Sequence, residues 1–160
     1  MPTLKGFDYS NQAVYITTKT WRNQQIFSSD YSVNFIYEGL NQISNKYDFK
    51  IVGFVIMPDH LHLIIVSQNN DLSNIMHDLK GKIAFDMLSQ GIIETKLWQK
   101  GFYDHVIRNK KDLTEKLNYM HKNPLRAGLV KETAFYKYSS FRYYYEKGHK
   151  LPKWFERIEI

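Results

Sequence analysis

The chain has 160 residues, of which 43% are hydrophobic, 24% are charged and none is cysteine. This size and composition are typical of one globular domain, and the lack of cysteine excludes disulfides and thiolate metal sites. The net charge of +6 favours a polyanionic partner such as nucleic acid over a neutral metabolite. The sequence has no basic leader segment and no apolar run of membrane length, so we expect a soluble, cytoplasmic protein without membrane contact.

The first half of the chain alternates strand-like and helix-like segments. Residues 13–19 are rich in β-branched and aromatic side chains and predict a strand, whereas apolar residues at helical spacing from Val33 to Tyr47 predict a helix. Two further apolar runs, 51–57 and 60–66, are separated only by a proline and an aspartate. That arrangement predicts a β-hairpin.

The second half continues with a helix, a strand and another helix. An apolar stripe over 72–87, capped by the preceding aspartate, predicts the first of these, and residues 103–108 predict the strand. Asp112 is predicted to cap the last helix, which Pro124 and Gly128 terminate. The order β-α-β-β-α-β-α predicts an α+β, ferredoxin-like (RRM-like) fold, with helices on one face of an antiparallel sheet and the other face open.

Two histidines follow the predicted hairpin turn. Side chains alternate along a strand, so His60 and His62 share one face while Leu61, Leu63 and Ile65 occupy the other. The two imidazoles are then roughly 6–7 Å apart, close enough to bind one metal ion. Two incidental histidines on an exposed strand remain the alternative, because a His-x-His pattern is short.

The last helix carries a polar pair beside its apolar stripe. Leu113, Leu117 and Met120 form the stripe, whereas Tyr119 and Asn123 lie one helical turn apart on another side. Without further information, Tyr119 is better explained as a half-buried surface tyrosine with its hydroxyl in water.

Several ordered motifs across most of the chain resemble the HUH transposases that carry a single catalytic tyrosine, and within them the REP-associated tyrosine transposases. The motifs are VIMPDHLHLII, LKGKIAF, LWQKGFYDHVIRN, YMHKNPLRAGLV and YSSFRYY. The resemblance implies a single transposase-type catalytic domain over residues 1–160, with a C-terminal extension from about residue 131.

The same resemblance implies the chemistry of the site. Tyr119 would attack single-stranded DNA, and His60, His62 and Asn123 would bind Mg²⁺ or Mn²⁺. The product would be a 5′-phosphotyrosine link and a free 3′-hydroxyl, which can reverse the attack without ATP. The recognised DNA would carry a hairpin, and related enzymes include both monomers and homodimers.

Basic and aromatic residues around this site are candidates for DNA binding. The aromatic candidates are Trp98, Phe102, Tyr103 and the segment 141–147, on which unpaired bases could stack. The basic candidates are Lys80, Lys82, Arg108, Lys110, Lys111 and Arg126. Taken singly, each of these cations is better explained as a solvated surface charge, and core packing explains many of the aromatic residues equally well.

Two other functions fit parts of the sequence. A non-catalytic nucleic-acid-binding module would use the same fold, and KGFYDHV begins like an RNA-recognition signature, but Tyr103 stands where glycine or alanine is expected. In a metal-dependent hydrolase, water would attack and no covalent intermediate would form.

Overall fold

The computed structural model describes residues 13–67 and 71–160. The predicted order of strands and helices is confirmed. The elements are β1 (Ala13–Lys19), α1 (Asp30–Lys46), β2 (Phe49–Met57), β3 (His60–Ser67), α2 (Leu72–Ser89), β4 (Tyr103–Val106) and α3 (Lys110–His121). Two short helices follow, α4 (Asn123–Arg126) and α5 (Phe141–Tyr145).

The four strands form one antiparallel sheet in the order β2-β3-β1-β4. The predicted α+β, ferredoxin-like fold class is therefore confirmed. Strands β2 and β3 form the predicted hairpin, and β1 inserts between β3 and β4. In this register Lys19 lies opposite His60, and Thr17 lies opposite His62. The end of β1 is consequently next to the histidine pair.

Helices α1 and α2 cover one face of the sheet, as predicted. Helix α1 begins with a capping box between Ser29 and Ser32, which satisfies backbone N–H groups that its first turn leaves free. Its buried face packs in the same core as the inward residues of β3 and the buried side of α2. The main contributors are Val33, Ile36, Leu40, Leu61, Leu63, Ile65, Ile75, Leu79 and Ile83.

Helix α3 packs against the opposite face, so the prediction that this face stays open is wrong. Leu117 and Met120 belong to a second core cluster that includes Val55 and Ile64. The helix approaches closely because Gly53 has no side chain: a Cβ there would lie 2.6 Å from Leu117 Cδ1. An apolar stripe on α3 is stabilised only when it is covered, and the sheet provides that cover. Helix α3 therefore covers the face of the sheet that carries His60 and His62.

The boundaries of β4 and α3 differ from the prediction. Strand β4 ends at Val106 rather than at residue 108. Asn109, not Asp112, caps α3, and its side chain accepts a hydrogen bond of 2.8 Å from the Asp112 amide. Asp112 instead bonds to His105 Nε2 at 2.9 Å. Helix α3 ends at His121, because a proline at position 124 lacks an amide hydrogen and its ring clashes with the carbonyl four residues earlier.

Two short stretches of the C-terminal region, 138–140 and 154–156, pair with the free edge of β2. The Ile56 amide donates to the Tyr138 carbonyl at 2.8 Å, and the Ile51 amide donates to the Trp154 carbonyl at 2.8 Å. These stretches cover backbone groups that an edge strand would otherwise expose. The single-domain boundaries, which include residues 1–12 and 68–70 outside the described residues, stay a prediction. Among the described helices, none is long and apolar enough to cross a membrane.

Candidate active site

The two histidines and Asn123 come together between β3 and the turn after α3. The rings of His60 and His62 lie 4.7 Å apart, centroid to centroid, and are nearly perpendicular. The Asn123 amide donates to Nε2 of His60 at 3.2 Å and to Nε2 of His62 at 2.6 Å. Three side chains that the sequence separates by up to 63 positions therefore meet at one point.

Each histidine is oriented through its other ring nitrogen. His60 Nδ1 donates to the Asp59 carboxylate at 2.6 Å, and His62 Nδ1 lies 2.9 Å from both the Tyr15 hydroxyl and the Thr17 hydroxyl. A proton on Nδ1 leaves the lone pair on Nε2, which is the tautomer that binds a metal. Sequence reasoning missed Tyr15 and Thr17 because the β1–β3 register cannot be deduced from strand patterns.

Burial keeps this part of the site neutral. His62 is 5% exposed, and burial, followed by the nearby charges of His60, Arg126 and Lys19, lowers its pKa to about 3. Burial also raises the pKa of Tyr15 to about 12. Both groups are uncharged at neutral pH, so His62 has an available lone pair and Tyr15 remains a hydroxyl.

The two imidazoles and the Asn123 amide can bind a divalent ion, but all three are neutral ligands. The polar atoms converge at separations of 2.6–3.2 Å, and a half-turn of the Asn123 amide would present its oxygen instead of its nitrogen. Two imidazoles and one amide oxygen suit Mn²⁺ better than Mg²⁺. Residues 13–67 and 71–160 contain no cluster of three or more His, Cys, Asp or Glu side chains that could hold a metal. The set carries no carboxylate ligand, so a bound phosphate would be needed to balance the ion's charge.

Tyr119 lies near the end of α3, four residues before Asn123, and is 55% exposed. The Arg126 guanidinium carbon is 4.0 Å from the centre of the Tyr119 ring, and Nη2 donates to the Tyr119 carbonyl at 2.5 Å. Tyr119 and Arg126 are also among the charged or ionisable groups that influence the pKa of Tyr15, which bonds to His62. The prediction that Tyr119 and Asn123 lie on one helix is wrong. Helix α3 ends at His121, and Asn123 is the first residue of α4.

The other predicted DNA-binding cations lie elsewhere. Lys80 and Lys82 are on α2, across the sheet from the histidines, and Lys82 pairs with Asp86 at 2.8 Å. The remaining three are exposed at or just before the start of α3, and the two lysines among them lie about 12–14 Å along the helix from Tyr119. They are Arg108, Lys110 and Lys111. Of the six predicted cations, the structure brings only Arg126 into contact with Tyr119.

Comparison with known proteins identifies the family. Residues 9–123 match the family model described as Transposase IS200 like. The chain belongs to the IS200-like transposase family. The match includes both histidines, Tyr119 and Asn123, and it ends at the last of these.

Relatives of this transposase agree with the family match. A REP-associated tyrosine transposase of Escherichia coli K12 is 26% identical over 137 residues, which cover 79% of each chain. A Haemophilus influenzae protein provisionally given the same name is 29% identical over 146 residues, covering 84% of this chain and 82% of that one. A solved REP-associated tyrosine transposase, bound to a REP hairpin, superposes with a TM-score of 0.75 over both full chains at 22% identity, and it supports the fold.

Proposed function

We propose that this transposase is a metal-dependent single-stranded DNA nuclease and strand transferase that acts through Tyr119. The observation that carries the proposal is the convergence of His60, His62 and Asn123, with the exposed Tyr119 four residues before Asn123 at the end of the adjoining helix. Membership of a transposase family indicates the class of reaction. The two histidines and Asn123 are suited to binding a metal ion, and the Tyr119 hydroxyl is suited to act as the nucleophile.

In the proposed reaction, the Tyr119 oxygen attacks the scissile phosphorus and forms a new P–O bond. The P–O3′ bond breaks, the phenolic proton is lost to solvent, and the departing 3′-oxygen takes up a proton. The phosphorus keeps its 5′-oxygen, so the product is a 5′-phosphotyrosine and a 3′-hydroxyl. Attack by another 3′-hydroxyl reverses these steps and joins two strands. The rate of such an exchange depends mainly on alignment and on charge neutralisation.

The side chains divide these two tasks. Arg126 packs on the Tyr119 ring, which restricts the phenol and brings a positive charge towards an incoming phosphate. Asp59, Tyr15 and Thr17 hold the two imidazoles in one orientation. When Mg²⁺ or Mn²⁺ is bound by His60, His62 and Asn123, it supplies Lewis-acid stabilisation of the phosphate oxygens.

Single-stranded DNA with a hairpin is the proposed substrate. The net charge of +6 favours a polyanion, and the solved relative with the same fold is bound to a REP hairpin. A monomer is consistent with residues 138–140 and 154–156 pairing with the β2 edge, and a homodimer formed through another surface is also consistent. The cytoplasm is the proposed location because DNA is the proposed substrate.

The proposal is tested by a denaturing gel that detects DNA joined covalently to protein. The probe is a labelled hairpin with single-stranded flanks, taken from the DNA beside the gene, incubated with Mn²⁺ or with EDTA. We expect an adduct that needs the metal, disappears in Tyr119→Phe and His60→Ala, and persists in Tyr31→Phe. Tyr31 is a matched control because it is 59% exposed and lies on α1, away from the histidines.

Three other results would contradict the proposal. Cleaved DNA without an adduct, with activity retained in Tyr119→Phe, would indicate a hydrolase that uses water. Tight hairpin binding without cleavage would indicate a non-catalytic DNA-binding module. An adduct that is unaffected by EDTA would exclude the metal.

A further inference from the structure

A groove separates α2 from the segment that leads into β4. Its volume is about 420 Å³, within the range of ligand pockets. Apolar and aromatic side chains form much of its lining, including Met76, Leu97, Trp98 and Phe102. Gly81 and Ala84 have small or no side chains, which leaves the α2 side of the groove open. Trp98 is 7% exposed and Phe102 is half-buried, so Phe102 offers the main ring surface to a flat ligand.

The charged residues of this groove are cationic. Lys80 and Lys96 both line it, and its described lining contains no carboxylate. Lys80 Nζ donates to the carbonyls of Gln99 and Gly101, at 3.1 Å and 2.6 Å, and lies 6.0 Å from the Trp98 ring centre. Burial and the neighbouring Lys96 lower the pKa of Lys80, so an anion placed between the two ammonium groups would relieve their repulsion.

The groove begins at the same end of the sheet as the candidate active site. The Gln99 amide donates to the Lys19 carbonyl at 2.9 Å, and Lys19 pairs with His60 in the register of β1 and β3. Two strand spacings therefore separate the groove segment from His60, about 10 Å across the sheet. Lys19 and Lys96 are exposed along this path. A polynucleotide could extend from the histidine pair around the end of β1 into the groove.

We propose that the groove binds one unstacked base of single-stranded DNA, with the adjoining phosphate between Lys80 and Lys96. The base lies against the ring of Phe102, and the next nucleotides lead towards Tyr119. Aromatic faces with a cationic rim are how proteins bind unpaired nucleotides. This inference rests on the proposed function for its ligand class, but it concerns a separate surface on the opposite face of the sheet.

Gly81 provides a direct test because it lines the groove without packing against anything. A Cβ at position 81 would have no atom within 4 Å, so a side chain can start there without a clash, and Gly81→Leu adds bulk to the groove. Leucine also favours a helix more than glycine does, so the variant should melt no lower than the wild-type protein. Asn74→Leu is the matched control, since it adds the same side chain at an exposed α2 position outside the groove lining.

The experiment measures binding of the labelled hairpin by fluorescence anisotropy in EDTA, where no cleavage should occur. A set of probes carries one abasic site at successive positions of the single-stranded flanks. For the wild-type protein, we expect one position at which base removal weakens binding about tenfold, the effect of one stacked base. Gly81→Leu should bind the intact probe about tenfold more weakly and lose its sensitivity to that abasic site. Asn74→Leu should behave like the wild-type protein.

The groove proposal would be overturned if Gly81→Leu bound the intact probe with wild-type affinity and lost affinity at the same abasic position as the wild-type protein. The covalent-adduct assay separates this failure from failure of the proposed function. If adducts form normally but no position of the abasic site weakens binding, only the groove proposal is wrong. If the profile depends on Gly81 but no adduct forms, the groove proposal stands and the catalytic proposal is wrong. No binding of any probe would overturn both.

Discussion

Replacing His121 with glutamine should reduce the sensitivity of the folded state to acid. His121 follows Tyr119 by two residues, is 2% exposed, and its Nε2 lies 2.7 Å from the Ser140 hydroxyl. Its Nδ1 has no hydrogen-bond partner in the described part of the chain. Burial lowers the pKa of this imidazole from 6.5 to about 3. Protonation would leave a buried charge with no carboxylate bonded to it.

The sign of the effect follows from which state binds more protons. Below pH 6.5 the unfolded chain takes up a proton at His121 that the folded protein does not, so stability falls as the pH drops towards 3. Between about pH 7 and pH 5, this one site should lower the free energy of unfolding by about 2 kcal/mol. Above pH 7 the site should contribute little further change.

Urea unfolding at both pH values measures this difference. Wild-type protein should lose about 2 kcal/mol more than His121→Gln over the interval, because all other titrating groups are common to both proteins. The comparison cancels any constant cost of the substitution, since each protein is compared with itself. Equal losses in the two proteins would refute the assignment of a neutral, buried His121.

Three further predictions test the site and its support. Asp59→Asn should weaken Mn²⁺ binding by about 10- to 100-fold in calorimetry, because His60 loses its carboxylate partner, and unchanged affinity would contradict that role. Leu117→Ala should cost about 2–5 kcal/mol in urea unfolding, as its side chain is 1% exposed between α3 and the sheet, and a cost under about 1 kcal/mol would contradict the packing. Ser29→Ala should cost about 1 kcal/mol by the same assay through loss of the α1 capping box, whereas an unchanged midpoint would contradict the cap.

Local patterns predict much of this fold because each element depends on its own sequence. The run after the Pro-Asp turn is rich in leucine, isoleucine and valine, so β3 forms, and alternation puts His60 and His62 on one face. The stripe of α3 likewise predicts a buried side containing Leu117 and an exposed side containing Tyr119. These features need no information about distant residues.

Features that depend on tertiary packing could not be predicted in the same way. The hydrogen bonds from Tyr15 and Thr17 to His62 depend on how β1 aligns with β3, and many registers bury the same residues. The close approach of α3 depends on the missing side chain at Gly53. The predicted cap at Asp112 fails for a local reason: Asn109 stands three residues earlier and caps α3, leaving Asp112 to bond with His105.

Locating the attachment point of DNA on the protein tests the central claim most directly. Trypsin should release residues 117–122 as the peptide LNYMHK, in which Tyr119 is the one tyrosine. After incubation with hairpin DNA and Mn²⁺, nuclease trimming and mass spectrometry should find the residual nucleotide on this peptide, with fragment ions assigning it to Tyr119. A nucleotide on a peptide that carries another tyrosine, such as Tyr15 or Tyr103, would contradict the account.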